Sequence, residues 1–476
     1  MYRVLSESEI GLVHEASLEI LSEMGFQVDN RRAREILRQH GAVVRDGKRV
    51  LLPRSLVENC LAQVPGEFTL YGRREENDAH YQAGSFYTST GGSAMYVLDL
   101  ETGERRLSTC QDLHDIMALV DQLDQIDLIS LPIYLNDLPK QDVDINRFFA
   151  GLKNSTKHVM GAVYTVAGLD KVAAMAEIIA GDRWTERPIV SVVLCPIISP
   201  LRLDETATEI LVEAAARGII THNFNMVQAG CTAPVTIAGT LTLMNAEVLA
   251  VTTLIQLIKP GLPCFYCSVP GLTDMATGMF VTGGIESALL NAGATQMARY
   301  YHLPNWATAG RTDAKIPDAQ AGYEHALTVP YVCLAGASHV TCGTGFLDFV
   351  LTVSFEQYVI DNEIIGMVRR MKRGVTVNED TIGLEVIKAV GPGGHFLAEH
   401  HTVKYMRSEF FQPRLSDRRE RDIWLNQGGK DTWQRARELA KKLIQDHNRS
   451  GLTDQQERDI VSRIEGIVAR PSGSIL

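Results

Sequence analysis

The chain has no basic stripe, no long apolar run and no nucleotide-binding glycine signature, and each absence removes a class of function. Lys and Arg number 46 against 57 Asp and Glu, a formal charge of −11 with no compensating basic stripe; the basic run Arg369-Arg370-Met371-Lys372-Arg373 reads as a solvated helix terminus. That balance argues against nucleic acid or another polyanion as partner. No uninterrupted apolar run of about 18 residues occurs, so no membrane span is expected. The N-terminal MYRVLSESEIG lacks the apolar core of a signal peptide. The eight cysteines are scattered, several in strand-like apolar runs, which fits reduced thiols in a cytoplasmic protein. No GxSxG, HExxH or GKS/GKT motif is present, so the common hydrolytic and nucleotide-dependent chemistries are unsupported. The sequence CxxC occurs once, at Cys264–Cys267. Residues three apart on a strand point to opposite faces, so these thiols read as buried structural cysteines and no metal site is expected. His395, His400 and His401 have no Cys or carboxylate at a familiar ligand spacing.

What is present is a rhythm. After an N-terminal α/β cap (1–107), apolar strands alternate with helices over 108–378, and a polar helical extension follows (379–476). The cap opens with Ser6-Glu7-Ser8-Glu9, a capping box, and its Ser85–Leu100 and Arg105–Leu107 read as a hairpin. Strands are expected at Leu128–Tyr134, His158–Thr165, Ile189–Pro196, Ile219–Asn225, Cys264–Pro270, Asn305–Ala309 and Ser338–Cys342. Strands without polar alternation, separated by helices, form a parallel sheet covered on both faces. Seven such units point to a TIM (β/α)8 barrel, with Gly374–Val377 as candidate for the eighth strand. A doubly wound sheet is the alternative, but no GxGxxG follows a strand.

In such a barrel the loops after the strands carry the chemistry. The loop after Asn305–Ala309 is the richest, holding Arg311, Asp313, Lys315, Asp318 and Gln320. Arg311 could clamp a ligand carboxylate with its planar fork, or tie loops together through Asp313 or Asp318. Asp318, following Pro317, also suits a helix N-terminus. Asn223 and Asn225 stand near the end of the Ile219 strand. His339 and the turn Gly343-Thr344-Gly345 follow the last strand, and Tyr96, Phe346 and Phe355 are available aromatics.

The run from Thr312 to Glu324 (TDAKIPDAQAGYE) resembles the trimethylamine methyltransferase family. So do Cys195-Pro196-Ile-Ile-Ser199-Pro200-Leu201, Ala229-Gly230 through Thr236, Asn245-Ala-Glu247, and His401 through Arg407. The likeness spans nearly the whole chain. It implies a TIM barrel that moves a methyl group from an amine to the cobalt of a separate corrinoid protein. Founding members carry a pyrrolysine in a late loop, roughly where this chain reads His339-Val-Thr-Cys-Gly343-Thr-Gly345. Ordinary residues stand here, which implies quaternary amines over trimethylamine: glycine betaine first, proline betaine or carnitine as alternatives. A non-catalytic quaternary-amine binder of the same fold is a second reading. The resemblance thus assigns Arg311, Asp313, Asn223, Asn225, His339, Phe346, Phe355 and Tyr96 as candidate substrate ligands. Gly343, Gly345, Lys315 and Gln320 become candidates for corrinoid docking, and a homo-oligomer is expected.

Overall fold

The structure, a computed structural model, describes residues 2–182, 184–447 and 451–469. Its centre is a ring of parallel strands. Ile129–Ser130, Val159–Gly161, Val190–Leu194 and Thr221–Asn223 form one run, with Val159 opposite Ile129 and Val192 opposite Thr221. Tyr266–Cys267, Asn305–Thr308, His339–Thr341 and Tyr87–Thr88 form the other, with Trp306 opposite His339 and His339 opposite Tyr87. A parallel bridge between Ser89 and Leu128 joins the two. At the remaining seam, between the fifth and sixth strands, His222 stacks on Phe265 with ring centroids 4.8 Å apart. This is the expected TIM barrel, with its helices outside.

The ring begins earlier than expected. Tyr87–Thr88, read in the sequence as part of a cap hairpin, is the first barrel strand, and His339–Thr341 is therefore the eighth. Gly374–Val377 forms no strand. The first strand is hard to see because it is polar. Hydroxyls of the strand and of the residues just after it bond to the neighbouring second-strand segment, Thr88 Oγ1 to the Gln125 carbonyl and Thr90 Oγ1 to the Ser130 carbonyl. The hairpin itself is Tyr96–Leu98 with Arg105–Leu107, and Thr352–Ser354 adds to it in parallel.

The N-terminal segment covers the barrel's side and plugs its end. Ser6 accepts from the Glu9 amide while Glu9 accepts from the Ser6 amide, closing a capping box on helix Glu7–Glu19. That helix packs on Ile237–Ile258. The latter is the one described helix long and apolar enough to cross a membrane, and 83% of its apolar window is buried inside the protein. A sheet of Phe26–Val28, Val43–Arg45 and Arg49–Leu51 takes in Arg202–Leu203 from the loop after the fourth barrel strand. The hairpin Phe68–Leu70/Ala79–Tyr81 sends Tyr81 into the barrel, where its hydroxyl shares a 2.6 Å hydrogen bond with His339 Nδ1.

The C-terminal extension braces the outside. Helix Thr432–Asp446 lies against Phe355–Arg373 and Cys110–Asp121, and Asp454–Arg463 against Val166–Ala180. Glu363 holds this arrangement by accepting from the amides of Arg414, Leu415 and Ser416 at 2.6–2.8 Å. Ahead of these braces in the chain, four short helices between Glu379 and Asn426 bury no residue. Residues 448–450 and 470–476 of the extension lie outside the described residues.

Candidate active site

A cavity of about 640 Å³ opens among the loops that follow the strands. Each wall comes from a strand end: Leu131 after the second strand, Tyr164 after the third, Leu194 and Cys195 from the fourth, Phe224 after the fifth, Val269 after the sixth, Arg311 after the seventh, Cys342 after the eighth. This is the face where parallel-barrel chemistry is built. The lining is mainly apolar and aromatic, with Phe224, Phe280, Trp306 and Phe349 among its rings. Trp306 and Phe224 lie 6.2 Å apart at 29°, and the Trp306 Nε1 has no partner.

Arg311 is the sequence-proposed ligand that the fold brings here. Only 3% exposed, it donates from Nη2 to the Pro270 carbonyl at 2.6 Å, and its Nε has no partner. Burial pulls its basicity down, as expected for a cation removed from water. The acids that could have paired with it are engaged elsewhere. Asp313 accepts from Thr282 N at 2.9 Å, Thr282 Oγ1 at 2.8 Å and Gly283 N at 3.2 Å. Asp318 caps helix Ala319–Ala335, accepting from Gln320 N at 2.8 Å. Glu324 takes the Thr312 hydroxyl, the Asp313 amide and the Gln320 side chain. These carboxylates shape the loop; the guanidinium is left facing the cavity.

The rim beside it is strained. Asp348, Phe349 and Val350 have φ of 53°, 58° and 69°, a left-handed run that β-branched and bulky residues rarely adopt. Asp348 N to the Ala314 carbonyl at 2.7 Å and Phe349 N to the Thr312 carbonyl at 3.2 Å pin it to the Arg311 loop. Phe349 is thereby set into the cavity wall.

The other proposed ligands lie elsewhere. Lys315 is exposed, 3.9 Å above the Phe349 ring, and donates to the Asp313 carbonyl. Asn223 donates to Thr221 Oγ1 at 2.7 Å and Asn225 to Glu247 at 2.8 Å, both beside the cavity lining but outside it. Glu247 also accepts from Ser199 and the Leu201 amide, and burial raises its pKa. Tyr96 stacks under the Arg105 guanidinium at 3.5 Å. Phe355 and Phe346 are core residues, Phe346 so close to Gly91 that an added Cβ would sit 2.5 Å from its ring. Gly343 abuts Gly310, whereas Gly345, at φ +80°, lies under Tyr358 and donates to Asp361. Their role in the fold is close backbone packing.

His339 belongs to a different layer, toward the plugged end. It bonds Tyr81 and Ser89, while Ser191 Oγ lies 2.8 Å from His158 Nε2 and 2.9 Å from His222 Nε2. Burial holds His158 down to about 4 and His339 to about 3, and pushes His222 well below the usual imidazole value, so all three are neutral.

Cys264 and Cys267 are buried in separate surroundings, Cys264 donating to the Leu262 carbonyl, and burial pushes both thiols up. Among the described residues no group of three or more His, Cys, Asp or Glu is placed to hold a metal ion.

The cavity also contains residues that the sequence reading passed over: Arg147, Tyr164, Phe224, Phe280 and Phe349. Arg147 had a signal, being one cation inside the buried run Val143–Leu152.

The whole chain resembles known proteins. A family model described as trimethylamine methyltransferase (MTTB) matches residues 1–468. The trimethylamine methyltransferase MttB of Desulfitobacterium hafniense is 34% identical over 463 residues, 97% of this chain and 93% of that one. A glycine betaine methyltransferase from another strain of that species is 35% identical over 429 residues, 89% of this chain and 88% of the relative. Among solved structures, the Methanosarcina barkeri monomethylamine methyltransferase MtmB superposes with a TM-score of 0.55 at 12% identity, covering 94% of this chain and 88% of its own. That likeness speaks for the barrel alone; the full-length family match and the relatives above 30% identity carry more, and the chain belongs to the trimethylamine methyltransferase (MTTB) family.

Proposed function

We propose that this chain transfers a methyl group from a betaine, with glycine betaine as the leading substrate, to Co(I) of a corrinoid carried by a separate protein. The observation that carries the reading is Arg311: a buried guanidinium on the cavity wall whose one hydrogen-bond acceptor is a neutral carbonyl. An unpaired buried cation is unfavourable, and a ligand carboxylate would relieve it through charge-assisted bonds. The neighbouring Trp306 and Phe224 faces suit the trimethylammonium end, at roughly 0.5–2 kcal/mol per ring.

The reaction balances without a proton. The C–N bond breaks with its electron pair retained by nitrogen, giving a neutral tertiary amine, dimethylglycine from glycine betaine. Both electrons of the new C–Co bond come from Co(I), which ends as Co(III). The corrinoid is a co-substrate here. The chain's own task is to orient the methyl toward the mouth, with reacting atoms about 3–3.5 Å apart, and to shield the site from water. The reading includes no metal of the chain's own, supported by the different hydrophobic clusters that hold Cys264 and Cys267; zinc bound stoichiometrically through either thiol would overturn that part. A cytoplasmic setting and self-association complete it, the latter supported by exposed Leu397, Val403 and Phe410 on the extension.

The test is methylcobalamin formation from reduced cobalamin or corrinoid protein, with glycine betaine, proline betaine, carnitine, choline and trimethylamine compared. A betaine should be used well and choline and trimethylamine poorly. Trimethylamine turnover comparable to the best betaine would overturn the reading.

A further inference from the structure

A second buried guanidinium faces the same cavity, and a simple betaine leaves it unused. Arg147, on helix Val143–Asn154, is fully buried and lines the cavity. Its Nη1 donates to the Tyr164 hydroxyl at 3.0 Å, and its Nη2 to Ser93 Oγ at 3.1 Å and to the Leu131 carbonyl. All of these acceptors are neutral, and Nε has none. Asp144, one turn earlier, accepts its hydrogen bonds from the amides of Ile145 and Tyr164 and meets Arg147 through charge alone.

The two guanidiniums stand on different sides of the barrel axis. Arg147 is held by residues that follow the second and third strands, Arg311 by Pro270, which follows the sixth. In a ring of eight strands these positions oppose each other. The one acid in the cavity lining is Asp204, which caps helix Glu205–Arg217 through the Ala207 amide at 2.8 Å. Asp144 acts on Arg147 and Asp313 on Arg311 through their charge, while their hydrogen bonds go to backbone amides and the Thr282 hydroxyl. The cavity volume falls within the roughly 300–1,000 Å³ that suits ligands larger than glycine betaine.

We infer that Arg147 is a second anion seat, so that the ligand class fitting this cavity is a quaternary ammonium flanked by two carboxylates, such as a trimethylated amino dicarboxylic acid. Its carboxylates reach Arg147 and Arg311 while the trimethylammonium lies between them, against the aromatic wall. This rests on the proposed quaternary-amine chemistry and names its substrate more closely.

The probes are N,N,N-trimethylglutamate, N,N,N-trimethylaspartate and glycine betaine. For each, kcat/KM is measured with a Co(I) corrinoid, and Kd by calorimetry with no methyl acceptor present. In the unaltered protein the better diacid should exceed glycine betaine by roughly tenfold or more in both measures. Arg147→Met should bring that ratio down to about one. Arg147→Lys, which keeps the charge but loses the fork, should lower it severalfold and serves if the Met variant does not fold. A ratio at or below one in the unaltered protein, or one that neither variant changes, would overturn the inference, since a purely structural Arg147 affects both ligands alike. Glycine betaine turnover with no diacid preference would sink this inference alone. Failure to bind or demethylate any of the three compounds would sink the proposed function with it.

Discussion

Two sets of polar groups are buried inside one barrel, and they are treated in opposite ways. Toward the plugged end, His158, His222 and His339 share hydrogen bonds with Ser191, Ser89 and Tyr81, and burial keeps them uncharged. Toward the mouth, the guanidiniums of Arg311 and Arg147 donate only to neutral acceptors. Trp306 separates the two, its ring centroid 5.6 Å from His222 and 6.1 Å from His339 on one side and the cavity on the other. Uncharged buried groups that hydrogen-bond one another serve the fold; a buried cation whose hydrogen bonds go only to neutral acceptors is set up for something the chain does not contain.

The comparison breaks most readily at Arg311. Arg311→Met should reduce kcat/KM for glycine betaine by roughly ten- to more than a hundredfold, the value of one or two charge-assisted bonds. Steady-state methyl transfer checks it, once the variant's melting curve shows that it is folded. A loss below threefold would move the carboxylate seat elsewhere.

The histidine layer should respond to acid. Folded-state pKa values lie below the usual 6.5, so stability is fully present above about pH 6.5 and is lost as pH falls toward 4 and 3. Each unit of lowering corresponds to about 1.4 kcal/mol, giving a fall of a few kcal/mol over that window. Melting temperatures between pH 7 and pH 4 measure it, and His158→Gln should flatten the acid limb. An unchanged limb would mean that these histidines do not set the response.

A smaller effect is expected from His339→Leu. Tyr81 and Ser89 lose a partner, so stability should fall by about 1–3 kcal/mol, while kcat/KM per folded molecule changes less than about twofold. A large loss of activity at unchanged stability would return His339 to the site. Smallest of all, Lys315→Gln, at the exposed rim above Phe349, should alter betaine use by less than about twofold.

The same contrast explains what could be read in advance. Seven of the eight strands were legible because each lies in a longer β-prone stretch set between helices, even where, as at Thr221–Asn223, the paired residues themselves are polar. Tyr87–Thr88 was not, since hydroxyls inside a barrel look like a loop until the neighbouring carbonyls are known. Arg311 was legible as a cation just past a strand end. Asp313, Lys315 and Gln320 share its loop, but their bonds are made to that loop and its neighbours. Phe346 and Phe355 follow the last strand, and only the antiparallel pairing of Phe346–Leu347 with Thr352–Ser354 shows that they turn into the core. Arg147 was hidden by its helix, because chain order does not say which helical residue meets a distant loop.

The central claim is that the mouth's cations await a ligand carboxylate. It is tested most directly by calorimetric titration of glycine betaine and of choline into the unaltered protein and into Arg311→Met, with no methyl acceptor present. Choline keeps the trimethylammonium and lacks the carboxylate, so the four affinities form a cycle. The account predicts a betaine affinity that falls roughly tenfold or more in the variant while choline's changes little, a coupling of at least about 1.4 kcal/mol. Equal losses for both ligands, or none for either, would contradict it.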